Sequence, residues 1–416
     1  MIQTTNLTAH QQLGLDAFED FLFNSNDREF VLSGFSGVGK THLTSAMIVS
    51  VQKYIKSCEL IGIDADTTYE LTATTNQAAK VLSDRLKMPI DTIFSALKVK
   101  LRENYRTGKE DLDFSNCSIH YDKVIYFIDE ASYLSNEMIG ALRSYRPNSK
   151  FVYIGDKFQL PPVGYNTAPA FDIVAPQYHL SDIIRQNSQA QKDLVLSLKD
   201  EVEQNRFMYS IHKFHNGNEI IICNGSDFQA LIDAEFSRPD YEEDDAKILA
   251  YHNHTVTAYS HYVRELHGKP ELFVSGDTVI LGQSWGNIPT AFKATVDSIS
   301  SKPTEFYGLE AYYVTVNGAE GVYTPDFEGL KALKKEYAWQ CSRQYKHWAE
   351  YFELKNFFVD LRDPSSSTVH KAQGSTHKTI FVDMHDLNEC KSPSLLRRLR
   401  YVGLSRGAER VVAYAK

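Results

Sequence analysis

Long apolar runs are missing from this chain: no stretch approaches the ~18 residues that would span a bilayer, and the start, Met-Ile-Gln-Thr-Thr-Asn, has neither the basic region nor the apolar core of a secretory signal. A soluble, cytoplasmic protein without a membrane partner is expected. Cysteine is scarce and scattered. Cys58, Cys117, Cys223, Cys341 and Cys390 form no C-x-x-C pair and have no histidines at zinc spacing, so they read as reduced and structural, not as a disulfide framework or a zinc module. Internal repeats and low-complexity tracts are absent, which removes solenoids and flexible linkers. Surplus positive charge is absent too: a net charge of −9 speaks against a wholly basic nucleic-acid binder.

What is there suits a globular protein of two or three domains, since 416 residues exceed what one hydrophobic core serves and 43% of them are hydrophobic. The charge is unevenly spread. Between Arg85 and Lys109 there are seven Lys and Arg against two acids, while acidity gathers at Asp240 to Asp245. Such a basic run is ordinarily a solvated face, and contact with nucleic acid is the alternative.

Short apolar runs alternate with helical patterns over the first 170 residues. Glu29 to Ser33, Tyr69 to Ala73, Val124 to Asp129 and Phe151 to Gly155 read as strands, which predicts a mostly parallel α/β sheet covered on both faces. Val99 to His120 interrupts this rhythm. Leu101 to Tyr105, a turn at Thr107-Gly108-Lys109 and Leu112 to Phe114 suggest a hairpin. From Phe171 the α/β pattern resumes, with a helix at Gln191 to Lys199 and strands at Glu219 to Cys223 and Lys247 to Tyr251. Between Lys269 and Asp326 it yields to short β segments that fit a small inserted barrel. Leu330 to Phe358 is rich in helix formers and aromatics; for Trp339, Trp348, Tyr345 and Tyr351, packing is the ordinary reading and base stacking the other.

The chemistry is most concentrated at Gly34-Phe35-Ser36-Gly37-Val38-Gly39-Lys40-Thr41, between an apolar strand and a helical segment. This is the pattern of a phosphate-binding loop. Gly34, Gly37 and Gly39 allow a tight turn that presents backbone N–H groups to phosphate oxygens, and the helix start adds partial positive charge. Lys40 is placed to reach the β- and γ-phosphates of ATP and Thr41 to ligate Mg²⁺. Downstream, Val124-Ile125-Tyr126-Phe127-Ile128 ends in Asp129-Glu130, adjacent carboxylates suited to holding Mg²⁺ through water and to orienting and deprotonating an attacking water. Gly155-Asp156-Lys157-Phe158-Gln159-Leu160-Pro161-Pro162 follows another strand and offers the Gln159 amide to a γ-phosphate, in a loop whose shape two prolines fix.

These three segments, followed by Ser367-Thr368-Val369-His370-Lys371-Ala372-Gln373-Gly374 and Tyr401-Val402-Gly403-Leu404-Ser405-Arg406, stand in the order found in superfamily-1 helicases. Nearly the whole chain resembles the 5′-to-3′ branch of that family, with its Dda-like and RecD-like members. The resemblance implies two RecA-like P-loop domains, an α/β fold with a β-hairpin insert in the first and an SH3-like β-barrel insert in the second. It implies that Gln11 contacts adenine, that Arg185 and Arg406 extend from the second domain to the γ-phosphate, and that Gln373 and Gly374 couple that phosphate to DNA.

For nucleic acid, the resemblance implies that Thr75 and Asn76 hold a backbone phosphate at a helix start, and that Thr368 and His370 contact the strand. Thr74 stands where relatives carry proline, and Phe94 where they often carry histidine. Phe94 is equally readable as a stacking platform or as core. The segment between Val99 and His120 matches the family's strand-splitting protrusion, with Phe114 at its tip or its base.

The implied domains are 1–170 with the hairpin at about 99–120, then 171–268 together with 359–416, and an inserted barrel with helical extension at 269–358. The expected activity is ATP-dependent DNA unwinding, 5′-to-3′ along single-stranded DNA, in phage-type replication or recombination within a bacterial cytoplasm. Forked or tailed duplexes are the implied substrates, a single-stranded-DNA-binding protein an implied partner, and a monomer the working unit. The rival readings are a translocase that strips proteins from single strands without unwinding, a nonenzymatic nucleic-acid-binding module with a structural nucleotide site, and, last, a small-molecule P-loop kinase.

Overall fold

The computed structural model describes residues 7–62, 66–183, 188–345 and 347–415. Its first sheet is six-stranded and parallel, in the order Asp91–Thr92, Thr68–Ala73, Val124–Asp129, Lys150–Gly155, Glu29–Gly34 and Gln177–Leu180. Helices cover both faces, so the inner strands are apolar along their length instead of alternating: Ile125 to Ile128 and Phe151 to Ile154 are all buried. The sheet takes its last strand from beyond residue 170, which corrects the expected boundary. Gln177–Leu180 pairs beside the strand that feeds the phosphate loop. That neighbour fixes the identity of Gly34, where a Cβ would stand 2.9 Å from the Leu180 carbonyl oxygen and 2.8 Å from Val38 Cγ2.

A second parallel sheet runs Ser366–Thr368, Ala246–Ala250, His377–Asp383, Gly407–Tyr414 and Ile220–Cys223. The two sheets are the two RecA-like lobes. They meet through a shared apolar core in which Phe35, Phe158 and Leu160 of the first lobe join Tyr401 and Leu404 of the second. Helix Pro393–Leu404, which carries Tyr401, also brings Arg397, Arg398 and Arg400 into buried positions at this junction.

Between the second lobe's strands lies an antiparallel sheet in the order Thr304–Phe306, Leu309–Val316, Lys293–Ile299, Thr278–Leu281 and Leu361–Arg362, with Ala319–Tyr323 also paired to Leu309–Val316. Leu361–Arg362 lies past the end expected for this insert at 358. Its core is Val279, Leu281, Val296, Val314, Val316 and Leu361. A buried ion pair, Arg264 Nη2 to Asp277 Oδ2 at 2.8 Å, fastens it to helix Asn253–Leu266.

The segment that breaks the first lobe's rhythm is a two-stranded antiparallel ribbon, Lys100–Asn104 against Lys109–Asp113. Its turn sits one to two residues earlier than the sequence suggests. The turn is held by the second lobe's helical extension: Trp348 N donates to Tyr105 O at 2.8 Å, Lys355 Nζ to Glu110 Oε1 at 2.8 Å and Asn356 Nδ2 to Glu103 Oε1 at 2.6 Å. Gly108 is left-handed, φ +69°, and lies so near the Trp348 ring that a Cβ would come within 2.4 Å of it. Trp348 and Tyr351 are thus packing residues, edge to face at 5.4 Å, while Trp339 is exposed beneath the Arg343 guanidinium. Phe114 is at the ribbon's base, stacked on Tyr145 at 6.2 Å. The five cysteines are free thiols. Among the described residues no helix is long and apolar enough to cross a membrane.

Candidate functional site

Four strands of the first sheet, ending at Gly34, Ala73, Asp129 and Gly155, deliver their following loops to one edge, the side on which open α/β sheets bind ligands. The phosphate loop turns through Gly37 (φ 86°) and Gly39 (φ 82°), values that favour glycine, and Gly39 starts helix Lys40–Ile61. Lys40 Nζ points back into the loop and donates to the Gly34 and Phe35 carbonyls at 2.8 and 2.9 Å. Gln11 is buried against the loop's end. Its Oε1 accepts from Thr8 N at 3.1 Å, closing a capping box on helix Ala9–Asn24, and its Nε2 reaches the Gly39 carbonyl at 3.4 Å.

Asp129 and Glu130 emerge beside the loop. Glu130 is itself left-handed, φ 51°, a backbone strain that turns its carboxylate inward. Glu130 Oε2 is enclosed yet has no hydrogen-bond partner, while Asp129 Oδ1 accepts from Glu130 N at 2.9 Å. Burial raises the pKa of both groups. For Glu130 the Asp129 charge adds to the rise, and Lys40 and Arg406 oppose it. An orphaned carboxylate oxygen, a second carboxylate and the Thr41 hydroxyl at the helix start make an all-oxygen donor set, which fits Mg²⁺ rather than a soft metal.

Gln159, only 3% exposed, donates from Nε2 to Asp156 Oδ2 at 3.3 Å and leaves Oε1 without a partner. The second lobe closes over this arrangement. Arg406 is 2% exposed, and its Nη2 lies 3.2 Å from Ser36 Oγ inside the phosphate loop. Gln373 crosses the same boundary: its Oε1 accepts from Leu160 N at 3.3 Å and its Nε2 donates to Ser132 Oγ at 3.1 Å. Gly374 (φ 85°) abuts the acid, since a Cβ there would be 3.5 Å from Glu130 Oε1. Arg185 lies outside the described residues.

Other residues tighten the site, and sequence reasoning assigned them no role. Tyr401 Oη donates to Asp156 Oδ2 at 2.6 Å and accepts from Ser36 N at 3.4 Å, so one phenol spans both loops. Arg398 Nη1 donates to the Lys157 and Gln159 carbonyls at 2.8 and 2.6 Å, clamping the loop that carries the amide. The signal was present in the helix around Leu395-Leu396-Arg397-Arg398-Leu399-Arg400-Tyr401, where arginines occupy an otherwise apolar stretch.

A groove of about 980 Å³ runs over the top of the two lobes and is lined by Thr75, Asn76, Phe94, Val163, His370 and Gln373, among others. Thr75 caps helix Asn76–Leu86, its Oγ1 accepting from Ala78 N at 3.2 Å. Thr74, in the place of a proline, gains rigidity by another route: its Oγ1 donates to the Glu130 carbonyl at 2.7 Å. Phe94 has one side packed on the core around Ile93 and the other facing the groove. His370 is exposed in the groove, but Thr368 is only 7% exposed and its hydroxyl accepts from Lys371 N at 3.4 Å, so its side chain shapes the turn from within.

The AAA domain profile matches residues 8–219, and that of the UvrD-like helicase C-terminal domain matches residues 365–414. The ATP-dependent DNA helicase dda of Enterobacteria phage T4 is 22% identical over 434 aligned positions, covering 90% of this chain and 92% of that protein. An uncharacterized protein of Acanthamoeba polyphaga mimivirus is 24% identical over 507 positions, covering 96% of this chain and 98% of its own length. The solved structure of the Pif1 helicase from Bacteroides in complex with ADP-AlF3 and ssDNA shares the fold, with a TM-score of 0.51 at 12% identity, over 99% of this chain and 93% of that one.

Proposed function

This chain belongs to the AAA-domain family and carries a UvrD-like helicase C-terminal domain behind it, and from that premise we infer that it is a superfamily-1 ATP-dependent DNA helicase. The observation that supports this best is the approach of Arg406, from one lobe, to Ser36, in the phosphate loop of the other, at 3.2 Å. A guanidinium brought to a phosphate loop from a second lobe makes hydrolysis depend on closure, because it stabilises charge spread over the transferring phosphoryl group only when the lobes meet.

In this mechanism the phosphate loop and Lys40 grip the β- and γ-phosphates, and Gln11 steers adenine to the loop's end. Thr41 and Asp129 would hold Mg²⁺, which supplies charge neutralisation at the phosphates. Glu130 orients the attacking water and accepts its proton; Gln159 reports the γ-phosphate to Asp156, Tyr401 and hence the second lobe. Arg185 is the second arginine to act on the γ-phosphate. Gln373, tied to Leu160 and Ser132, and Gly374, beside Glu130, relay loss of the γ-phosphate to the groove, where Thr75, Asn76, Phe94 and His370 hold single-stranded DNA and Thr368 sets the turn below His370. Closure and reopening of the lobes then advance the strand.

The remaining parts fit the same machine. The inserted antiparallel sheet, closed by Leu361–Arg362, serves as the SH3-like barrel with its helical extension, and the ribbon Lys100–Asn104 with Lys109–Asp113 splits forked or tailed duplexes while braced by that extension. Translocation is 5′-to-3′, by a monomer, with a single-stranded-DNA-binding protein as a partner. The test is hydrolysis with and without oligo(dT), followed by strand displacement on duplexes with 5′ or 3′ tails. Stimulated turnover that disappears in Lys40→Ala, with unwinding of the 5′-tailed substrate, is expected. Turnover indifferent to DNA would overturn the motor, displacement of bound protein without unwinding would reduce it to a translocase, and unwinding of only the 3′-tailed substrate would reverse its direction.

A further inference from the structure

Behind the proposed catalytic centre lies a second cavity, of about 440 Å³, between helix Asn76–Leu86 of the first lobe and residues 371–377 of the second. Its inner wall is made by residues that touch the catalytic groups from the far side. Gly374 backs onto Glu130, a Cβ there standing 3.5 Å from Oε1. Ser375 O accepts from Arg406 Nη1 at 3.3 Å, and His377 N donates to Arg406 O at 3.1 Å.

The lining is basic in a chain that is acidic overall. Lys80, Arg85, Lys247, Lys293, Arg362 and Lys371 face Asp84, Asp244 and Asp363, six cations to three carboxylates. Three of the cations are engaged: Lys293 with Glu243 and Asp244 at 2.8 Å, Arg362 with Asp360 at 2.8 Å, and Lys247 with the Pro364 carbonyl. Lys80, Arg85 and Lys371 have no carboxylate within 4.0 Å among the described residues. Lys80 lies over the Phe292 ring at 4.9 Å, and Lys371 Nζ donates to the Gly282 carbonyl at 3.5 Å. Burial brings the pKa of Lys371 down to about 8, which marks an ammonium short of solvation and receptive to an anion.

Cleavage of ATP leaves a phosphate anion in the same small space as the Asp129 and Glu130 carboxylates, which repel it. Cations on one side of a cleft then set the direction of departure. We propose that this cavity is the exit route for inorganic phosphate, with Lys80, Arg85 and Lys371 as the transient phosphate site along it. On the ATPase reading above, on which this rests, the order of product release follows: phosphate leaves past residues 374–377, and its passage loosens the strip that connects Glu130 to Arg406.

The same cations could instead serve a DNA backbone phosphate, because Gln77, Ala291 and Lys371 line both this cavity and the groove. Release kinetics separate the two sources. Lys80 and Arg85 are exposed on their helix, so Arg85→Gln and the double variant Lys80→Gln/Arg85→Gln are suited to the measurement in the full chain. In single turnovers with saturating oligo(dT), phosphate formation is followed by acid quench and phosphate release by a fluorescent phosphate-binding protein. Formation at the wild-type rate with release slowed by about tenfold, and oligo(dT) affinity and its salt slope unchanged, is the expected result. Release that still tracks formation in both variants overturns the exit route, as does weakened oligo(dT) binding with a shallower salt slope and normal release. Absence of phosphate formation in the unaltered protein would instead defeat the ATPase reading, a separate failure.

Discussion

Arg406 Nη2 and Ser36 Oγ, 370 residues apart in the chain, lie 3.2 Å from each other across the boundary between the lobes. The guanidinium is held on its other sides by the Val402 and Ser375 carbonyls at 3.0 and 3.3 Å, so its position is set before any substrate arrives. Preorganised charge of this kind acts mainly in the transition state. Arg406→Ala is therefore expected to lower kcat for ATP hydrolysis by about 10³- to 10⁵-fold while changing nucleotide affinity far less. Steady-state hydrolysis together with binding of a fluorescent ATP analogue checks the split; equal losses in both would mean that Arg406 merely holds the nucleotide.

Glu130 gives a prediction with a pH signature. Burial and the neighbouring Asp129 raise its pKa above the ordinary 4.5, so the folded protein binds this proton more tightly than the unfolded chain does. Ionised Glu130 thus costs stability, a cost absent below 4.5 and present in full once pH exceeds the raised value. Glu130→Gln should abolish turnover and yet stabilise the protein at neutral pH by about 1 kcal/mol, with the gain fading in acid. Thermal melts across pH measure it. The wild-type hydrolysis rate should fall on an acid limb displaced above 4.5, because a base must be ionised to act.

How far the sequence carried this picture depended on whether a contact was local. Val124–Asp129 was legible because a strand buried on both faces is apolar without interruption, and the phosphate loop because its glycines answer to backbone conformation at Gly37 and Gly39. Gln177–Leu180 was not. Its four residues, Gln-Tyr-His-Leu, carry little strand character and are fixed by pairing with a strand about 146 positions earlier. Tyr401 and Thr74 were opaque for the same reason: the Asp156 carboxylate and the Glu130 carbonyl that they bind come from elsewhere in the chain. Arg406 was singled out by its motif, whereas Arg398, eight positions earlier, clamps the Gln159 loop and was marked only by standing among apolar neighbours.

Phe94 faces two ways, and two substitutions divide its roles. Its ring packs beside Ile93 and also lines the groove with Thr75 and His370. Phe94→Ala should weaken oligo(dT) binding by about 1–3 kcal/mol, the worth of one base stacked on an aromatic, and lower the melting temperature as well. Phe94→Leu retains most of the packing and should recover stability without recovering affinity. Fluorescence anisotropy beside thermal melts reads both quantities, and full recovery of affinity in the leucine variant would assign Phe94 to the core alone.

The ribbon offers a way to separate unwinding from hydrolysis. Its turn is locked where Gly108 meets Trp348, at a φ of +69° and with no room for a Cβ, which would lie 2.4 Å from the indole. Gly108→Ala has to push the turn off the helical extension, at a cost of about 1–2 kcal/mol in backbone strain plus the contacts of Tyr105 with Trp348 N and the Phe352 ring. Neither the phosphate loop nor Arg406 touches this region, so DNA-stimulated hydrolysis should stay near the wild-type rate. A duplex pressed against an unbraced ribbon can deflect it, and strand displacement should drop several-fold. Trp348→Ala removes the indole packed on Gly108 without straining the turn, keeps the backbone N–H to Tyr105 O and the Lys355 and Asn356 contacts, and should give the same divergence to a smaller degree; normal displacement in both variants would show that the ribbon does not part the strands.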